Sequence, residues 1–283
     1  MNWEVEPIAS FDLQRKWGGT NDGYARDRTP CFHQHGQLLG TAIVQAARAA
    51  AEAAAETIWT TRCIICDKPG DTLCGACRLR LPYIDRNLAC PRCGSPHGRG
   101  QCMDCNAYSL SEVGRSTPPF ERCVSAIEHR GAAQLVITGY KDAGERRLAR
   151  DIGGILADTI PHAWVTADAA ITFVPSDRRA RRKRGFDHMA KVADELAEAL
   201  GMPCLPMLEK LPVSDQRGLT RVQRFANMAG AVRTRPGMPA KAPGHVILVD
   251  DVYTTGATLF AASDALLEAG IPRVFCATFA RVP

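Results

Sequence analysis

Along the second half of the chain, short apolar runs alternate with longer stretches in which apolar residues recur at helical spacing. Val246-Ile247-Leu248-Val249 is short and mostly β-branched, the pattern of a central strand buried on both faces. Asp250 and Asp251 follow, and the chain turns through Tyr253-Thr254-Thr255-Gly256. It then enters a helical pattern with Leu259, Ala262, Leu266 and Ala269 on one side, stopped by Gly270. Ala169–Val174 and Val274–Phe279 read as two further buried strands and Cys123–Ile127 as another. Helices are expected through Leu135 to Lys141, from Glu145 to about Thr159, and from His188 on to Leu200. Strands alternating with helices predict an α/β fold with a parallel, Rossmann-like sheet.

In such a sheet, ligands bind at the carboxyl edge, where a helix amino terminus offers unpaired N–H groups and partial positive charge. Gly256 lets the backbone approach an anion, and Thr254, Thr255 and Thr258 add hydroxyl donors, so Thr254 to Thr258 with Ala257 form a candidate phosphate loop. A carboxylate does not attract phosphate, but it accepts from the paired hydroxyls of a ribose, which gives Asp250 and Asp251 a role as the candidate catalytic acids. Successive strand residues point to opposite faces, so both acids can serve one sugar only if the strand has already ended. Either could instead cap the helix or pair with an arginine. The stretch has no G-x-G-x-x-G and no G-K-[ST], so it is neither a dinucleotide fingerprint nor a P-loop.

A second strand end opens at Val174-Pro175-Ser176-Asp177 into Arg178–Arg184, where six of seven residues are basic. We expect a cationic loop there, with Arg178, Arg182 and Arg184 gripping pyrophosphate oxygens; a solvated basic run or a nucleic-acid contact is the alternative. Gln216, Arg217, Arg221, Arg224 and Asn227 make a polar segment that reads either as a flap closing over an anion or as a surface helix.

Twelve cysteines change the picture for the first half. Eight fall in C-x2-C pairs: Cys63 and Cys66, Cys74 and Cys77, Cys90 and Cys93, Cys102 and Cys105. Seven residues separate the first two pairs and eight the last two. Four thiolates close a tetrahedral zinc site, so the run predicts a double zinc ribbon with two structural ions, the pairing sequential or interleaved. An iron–sulfur cluster or a redox switch is the other chemistry open to such thiols.

Residues 1–60 carry less information. Cys31, His33 and His35 cluster without a second ligand pair, and eight alanines in Ala46–Ala55 predict a helix over Thr41–Trp59 that buries little area. Arg115 to Phe120, with Pro118-Pro119, reads as a linker, so the expected division is an extension over 1–60, a ribbon over 61–114 and a sheet domain over 115–283. With 46% hydrophobic and 23% charged residues the chain can bury a sizeable core. A net charge of +5 permits an anionic ligand without demanding nucleic acid, and 6% aromatic content disfavours a broad base-stacking platform. No apolar run reaches the length of a membrane span, and Glu4 and Glu6 stand where a signal peptide needs Lys or Arg, so a cytoplasmic location is expected.

The acidic loop resembles the phosphoribosyl pyrophosphate loop of type I phosphoribosyltransferases. From Cys63 onward the chain resembles the ComF family, competence-associated proteins in which a cysteine-rich zinc domain precedes a phosphoribosyltransferase-like domain. The matching features are the cysteine pairs, Tyr140-Lys141, Val174-Pro175 with Arg184-Gly185-Phe186, and Gln216 through Arg224 and Asn227. Asp187 departs from the family's usual Asn, Ser176 from a usual Val, and Tyr253 from a small aliphatic.

The resemblance implies binding of phosphoribosyl pyrophosphate with magnesium. Asp250 and Asp251 would lie on the ribose, Tyr253 to Thr258 around the 5′-phosphate, and Val174, Pro175, Arg178, Arg182, Arg184 and Arg224 toward the pyrophosphate. It implies either transfer of the phosphoribosyl group to a nitrogen acceptor or a non-catalytic role in ligand sensing or DNA handling. Single-stranded DNA and a competence helicase or other protein are the partners it suggests.

Overall fold

The computed structural model describes residues 61–213, 218–236 and 242–283, which lie in one compact unit. The Cys31–His33–His35 cluster, the helix expected over 41–59, Gln216 and Arg217 fall outside the described residues.

The centre is strand β5, His245–Tyr253, in a four-stranded parallel sheet with β1 (Arg122–Glu128), β2 (Ala169–Phe173) and β6 (Val274–Arg281), ordered β1-β6-β5-β2. Val246 to Val249 are wholly buried, as the unbroken apolar run predicts. Side chains alternate between the faces. Ile247 and Val249 join the core made by helices α4 (Leu148–Thr159) and α6 (His188–Leu200), while Val246 and Leu248 join that of helix α8 (Ala257–Glu268). Each such buried aliphatic contributes about 1.5–3 kcal/mol.

The connections fix where a ligand can enter. From β2 the chain passes through α5 (Arg178–Arg184) and α6 to Cys204, which bridges in parallel to Ile171 on the outer side of β2. It then forms the hairpin of β3 (Leu208–Lys210) and β4 (Val232–Thr234), with helix α7 (Arg221–Met228) between them, and returns on the other side of β2 as β5. From β5 it goes through α8 to β6, so the direction of strand addition reverses between β2 and β5. Their carboxyl ends flank the switch-point crevice of the sheet, the usual ligand position in open α/β sheets.

The cysteine-rich segment, with short helices α1 (Gly75–Leu79) and α2 (Ala107–Ser111), leans on the β1 edge of the sheet. Tyr83 bridges antiparallel to Ile127, Ile84 N–H donates to the Ala126 carbonyl at 3.0 Å, and Cys123 N–H donates to the Arg92 carbonyl at 2.9 Å. Edge-strand N–H and C=O groups that would otherwise be open are thereby paired. A Cβ on Gly94 would meet the Cys123 carbonyl oxygen at 2.7 Å, so glycine is what allows this approach. On the other side, helix α3 (Ala132–Lys141) packs against the first cysteine loop, where Gly139 leaves room for Ile64. None of the helices among the described residues is long and apolar enough to cross a membrane.

Candidate functional site

The phosphate loop begins where β5 ends and α8 starts. Gly256 sits at the helix N-cap with φ +86°, a conformation natural to glycine, and no side chain caps the first turn. The amino end of α8 therefore faces the crevice. Arg224, from α7, reaches across to Thr254 Oγ1 at 3.2 Å and donates through Nε to the Leu219 carbonyl at 3.1 Å. The segment read as flap or helix is a helix from Arg221, started by a reciprocal capping box between Thr220 and Gln223.

Four of the residues assigned to the ligand site are buried. Tyr253 is 4% exposed, and its hydroxyl lies under Gly256, where a Cβ would come within 2.5 Å. Ala257 and Val174 are buried in the α8-side core, and Pro175 is buried beside them.

The acids are also arranged differently from expectation. The strand does not end before them: β5 stays paired with β6 as far as Tyr253 opposite Arg281, so Asp250 and Asp251 point to opposite faces. Asp251 faces α3 and α6. Its Oδ2 takes an ion pair from Lys141 Nζ and lies 2.7 Å from His188 Nε2. Burial opposes its ionisation, but Lys141 and His188 outweigh burial and hold the carboxyl well below the usual carboxylate range. Asp250 is buried on the opposite face. Burial and the Asp251 charge push its carboxyl up to about 7, against the pull of Lys210 and Lys141.

The loop after β2 joins the same network. Ser176 Oγ lies 2.6 Å from His188 Nδ1, and Asp187 accepts from Ser176 N–H at 3.1 Å and from Met189 N–H at 3.2 Å, capping α6. Tyr140 donates from its hydroxyl to the His188 carbonyl at 2.5 Å. Ser176, His188 and Asp251 thus form one continuous chain of hydrogen bonds across the switch point. Sequence reasoning quoted Lys141 only as part of a family match and passed over His188 and Ser176 as site groups. They sit 35 or more positions apart along the chain except for His188 and Ser176, and no local periodicity links them.

The basic run is a helix rather than a loop. Asp177 caps α5 by accepting from Ala180 N–H at 2.7 Å, and straight-chain basic residues with one alanine are good helix formers. Arg178 and Arg182 are exposed beside the crevice. Arg184 turns inward and donates through Nε to the Lys141 carbonyl at 2.9 Å, so it braces the end of α3.

The cysteines gather sequentially into two tetrads, Cys63/Cys66/Cys74/Cys77 and Cys90/Cys93/Cys102/Cys105, with all sulfurs of each within 4.8 Å of one another. Sulfurs lie 3.8 Å apart in Cys66–Cys74, 3.6 Å in Cys90–Cys105 and 3.5 Å in Cys93–Cys102. A tetrahedron of Zn–S bonds about 2.3 Å long would space its sulfurs by roughly 3.8 Å, so both tetrads fit zinc. Burial opposes ionisation of Cys63, but backbone N–H groups of Cys66, Cys74 and Ile65 draw its thiol down to about 6, toward the thiolate a metal needs. Among the described residues, these are the two groups with metal-ligand geometry.

A two-site cysteine ribbon set on a parallel α/β sheet with a switch-point crevice is the class this architecture defines. No protein-family model matches the chain. It is 25% identical over 212 residues to "Competence protein ComFC" of Bacillus subtilis, covering 75% of this chain and 84% of that protein. It is 26% identical over 210 residues to "DNA utilization protein YhgH" of Escherichia coli O157:H7, covering 71% and 87%. A "Competence protein ComFC" of Streptococcus pneumoniae is 27% identical over 199 residues, covering 70% and 82%. These relatives agree with the resemblance to the ComF family. Solved structures similar to it include an orotate phosphoribosyltransferase from Aeropyrum pernix, with 17% identity, TM-score 0.28 and coverage of 52% of this chain and 62% of that one. An adenine phosphoribosyltransferase from Leishmania tarentolae shows 16%, 0.28, 49% and 73%. The sheet order and switch point above carry the fold assignment without them.

Proposed function

We propose that the crevice between β2 and β5 binds phosphoribosyl pyrophosphate, with the 5′-phosphate on the Thr254–Thr258 loop and the pyrophosphate toward Arg224 and the exposed face of α5. The observation that carries this reading is the uncapped amino end of α8 at the switch point, with Gly256 in the left-handed region and Arg224 reaching over it to Thr254. Thr254, Thr255 and Thr258 add donors around an anion seated there. The ribose would lie against the Asp250–Asp251 step. Neither acid belongs to a ready-made carboxylate cage, so magnesium would be held mainly by the ligand's own oxygens, where it neutralises charge on the departing pyrophosphate.

With that charge neutralised by Arg178, Arg182 and Arg224, a nitrogen nucleophile can displace pyrophosphate at the anomeric carbon. The protein's part is positioning: Lys141 and His188 hold Asp251 ionised and immobile, and Ser176 holds the His188 ring. The ribbon over 61–114 would act as a zinc-dependent support for the sheet domain over 115–283. The relatives' printed names point to DNA utilisation and competence as the setting.

The test is calorimetric titration of the zinc-loaded protein with Mg²⁺ and phosphoribosyl pyrophosphate, beside Arg224→Ala. Saturable binding that the variant weakens supports the reading, and pyrophosphate release with a panel of nitrogen bases would establish transfer. No binding to the wild type sinks it. Exposed Arg178, Arg179 and Arg182 on one short helix favour a second, non-catalytic reading, contact with single-stranded DNA. Binding to an oligonucleotide that weakens steeply with salt and is lost in Arg178→Ala/Arg179→Ala/Arg182→Ala would support that reading instead.

A further inference from the structure

Arg281, near the end of β6, is fully buried. Its Nη1 donates to the Cys93 carbonyl at 2.6 Å, and its Nη2 donates to Asp104 Oδ2 at 2.8 Å and lies 3.6 Å from Cys93 Sγ. The same guanidinium lies 3.7 Å over the Tyr253 ring, and that ring carries the hydroxyl packed under Gly256. One side chain therefore touches a sulfur of the second cysteine tetrad and the residue on which the phosphate loop rests.

A second link runs beside the first. Asp104, between Cys102 and Cys105, gives its backbone carbonyl to Arg221 Nη2 at 2.8 Å. Arg221 opens α7, one turn before Arg224, which reaches Thr254. Asp104 also accepts from Ser95 Oγ at 2.7 Å, so the turn holding the last two cysteines is tied on both sides. Burying a guanidinium is costly unless it is paired. Arg281 meets that cost only while Asp104 and the Cys93 turn are in place, and those positions depend on how the four cysteines are held together.

Among the described residues, the first tetrad has no corresponding contact with the phosphate loop. Its surroundings are α3 and α4, through Thr72 with Asp151 at 2.7 Å and Arg78 with Asp158 at 3.0 Å. Two metal sites of similar composition thus stand in different relations to the crevice.

We propose that the Cys90/Cys93/Cys102/Cys105 site controls the phosphate loop: its metal-bound state fixes Arg281 and Asp104, and through Tyr253 and Arg224 these fix Thr254–Thr258 in the anion-binding conformation. Loss of the metal releases the loop, whereas the first tetrad has no such effect. The link stands independently of what the loop binds; that it governs a sugar-phosphate ligand rests on the function proposed above.

The experiment follows backbone amide exchange by mass spectrometry in the zinc-loaded full chain. Cys102→Ser opens the second tetrad and Cys66→Ser the first. Exchange over residues 253–258 is expected to rise about tenfold in Cys102→Ser, within the usual range of coupling between sites, and to stay near wild type in Cys66→Ser. Arg281→Met should show the faster loop exchange even with zinc bound, and further loss of zinc should then change it little. If Arg281→Met does not fold, Tyr253→Leu serves in its place: it should retain zinc against a colorimetric chelator yet exchange at the loop like Cys102→Ser. Equal loop exchange in Cys102→Ser and Cys66→Ser overturns the proposal. So does exchange that rises throughout β2 and β5 in Cys102→Ser, because the metal is then a staple for the whole unit. The affinity for phosphoribosyl pyrophosphate with magnesium, measured on the same proteins, separates the two claims. Absence of binding in wild type removes the ligand assignment and leaves the exchange result to decide the coupling.

Discussion

His188 Nε2 lies 2.7 Å from Asp251 Oδ2, and the opposite ring nitrogen lies 2.6 Å from Ser176 Oγ. One imidazole therefore joins the loop that follows β2 to the carboxyl end of β5, the two strand ends flanking the switch point. Its ring orientation is fixed from both sides, and so is the rotamer of Asp251.

His188→Ala should leave Asp251 paired with Lys141 alone among these side chains and lower stability by about 1.5–3 kcal/mol, the usual range for a hydrogen bond to a charged group. His188→Gln, which keeps an N–H donor in reach, should recover part of it. Urea unfolding midpoints compare the three. Equal midpoints for the alanine variant and wild type would show that the pair contributes nothing.

The two acids should have opposite pH signatures. Asp250 has a folded-state pKa of about 7, above its unfolded value, so its ionisation penalty is fully present above pH 7 and is relieved as pH falls toward about 4. Its contribution to stability should therefore rise on acidification by at most about 1.4 kcal/mol per pH unit across that window. Asp251 is shifted the other way. Its stabilisation is complete above its unfolded pKa of about 4 and is lost as pH falls further through its depressed folded value. Unfolding free energies of wild type and Asp250→Asn from pH 4.5 to 8 should converge toward the acid end; a constant difference would contradict the assignment.

Gly256→Ala places a methyl group at a position with φ +86° and against the Tyr253 hydroxyl. Backbone strain of this kind costs on the order of 1–3 kcal/mol, and relieving it must move the loop. The variant should melt at lower temperature and lose sugar-phosphate affinity more than tenfold, roughly what 1.4 kcal/mol corresponds to. Calorimetry and thermal unfolding on one sample test both effects.

Arg224→Ala should separate binding from folding. Its contacts are the Thr254 hydroxyl and the Leu219 carbonyl, at the edge of the crevice. We expect an unfolding midpoint close to wild type and about tenfold weaker binding of the sugar phosphate, as for loss of one charged hydrogen bond. A large stability loss with unchanged affinity would reassign Arg224 to the scaffold.

Much of this was open to a reader of the sequence. The run Val246–Val249 identifies the central strand because burial on both faces leaves no polar position, and Gly256 marks the turn because few other residues adopt its backbone. The C-x2-C pairs identify candidate metal sites because four sulfurs must reach one ion, and the short intervals allow sequential closure, which the structure shows. Tertiary structure decided the rest. The expected cationic loop at Arg178–Arg184 is a helix because Asp177 supplies its cap. The acids separate to opposite faces because pairing with β6 carries β5 past them. His188 and Lys141 meet Asp251, and Ser176 meets His188, only because three elements converge at the switch point. Arg281 touches Cys93, 188 positions away, and then Tyr253. Local pattern records what a segment buries and how it turns; which distant charges share that burial depends on the packing of elements, and no periodicity within a segment encodes it.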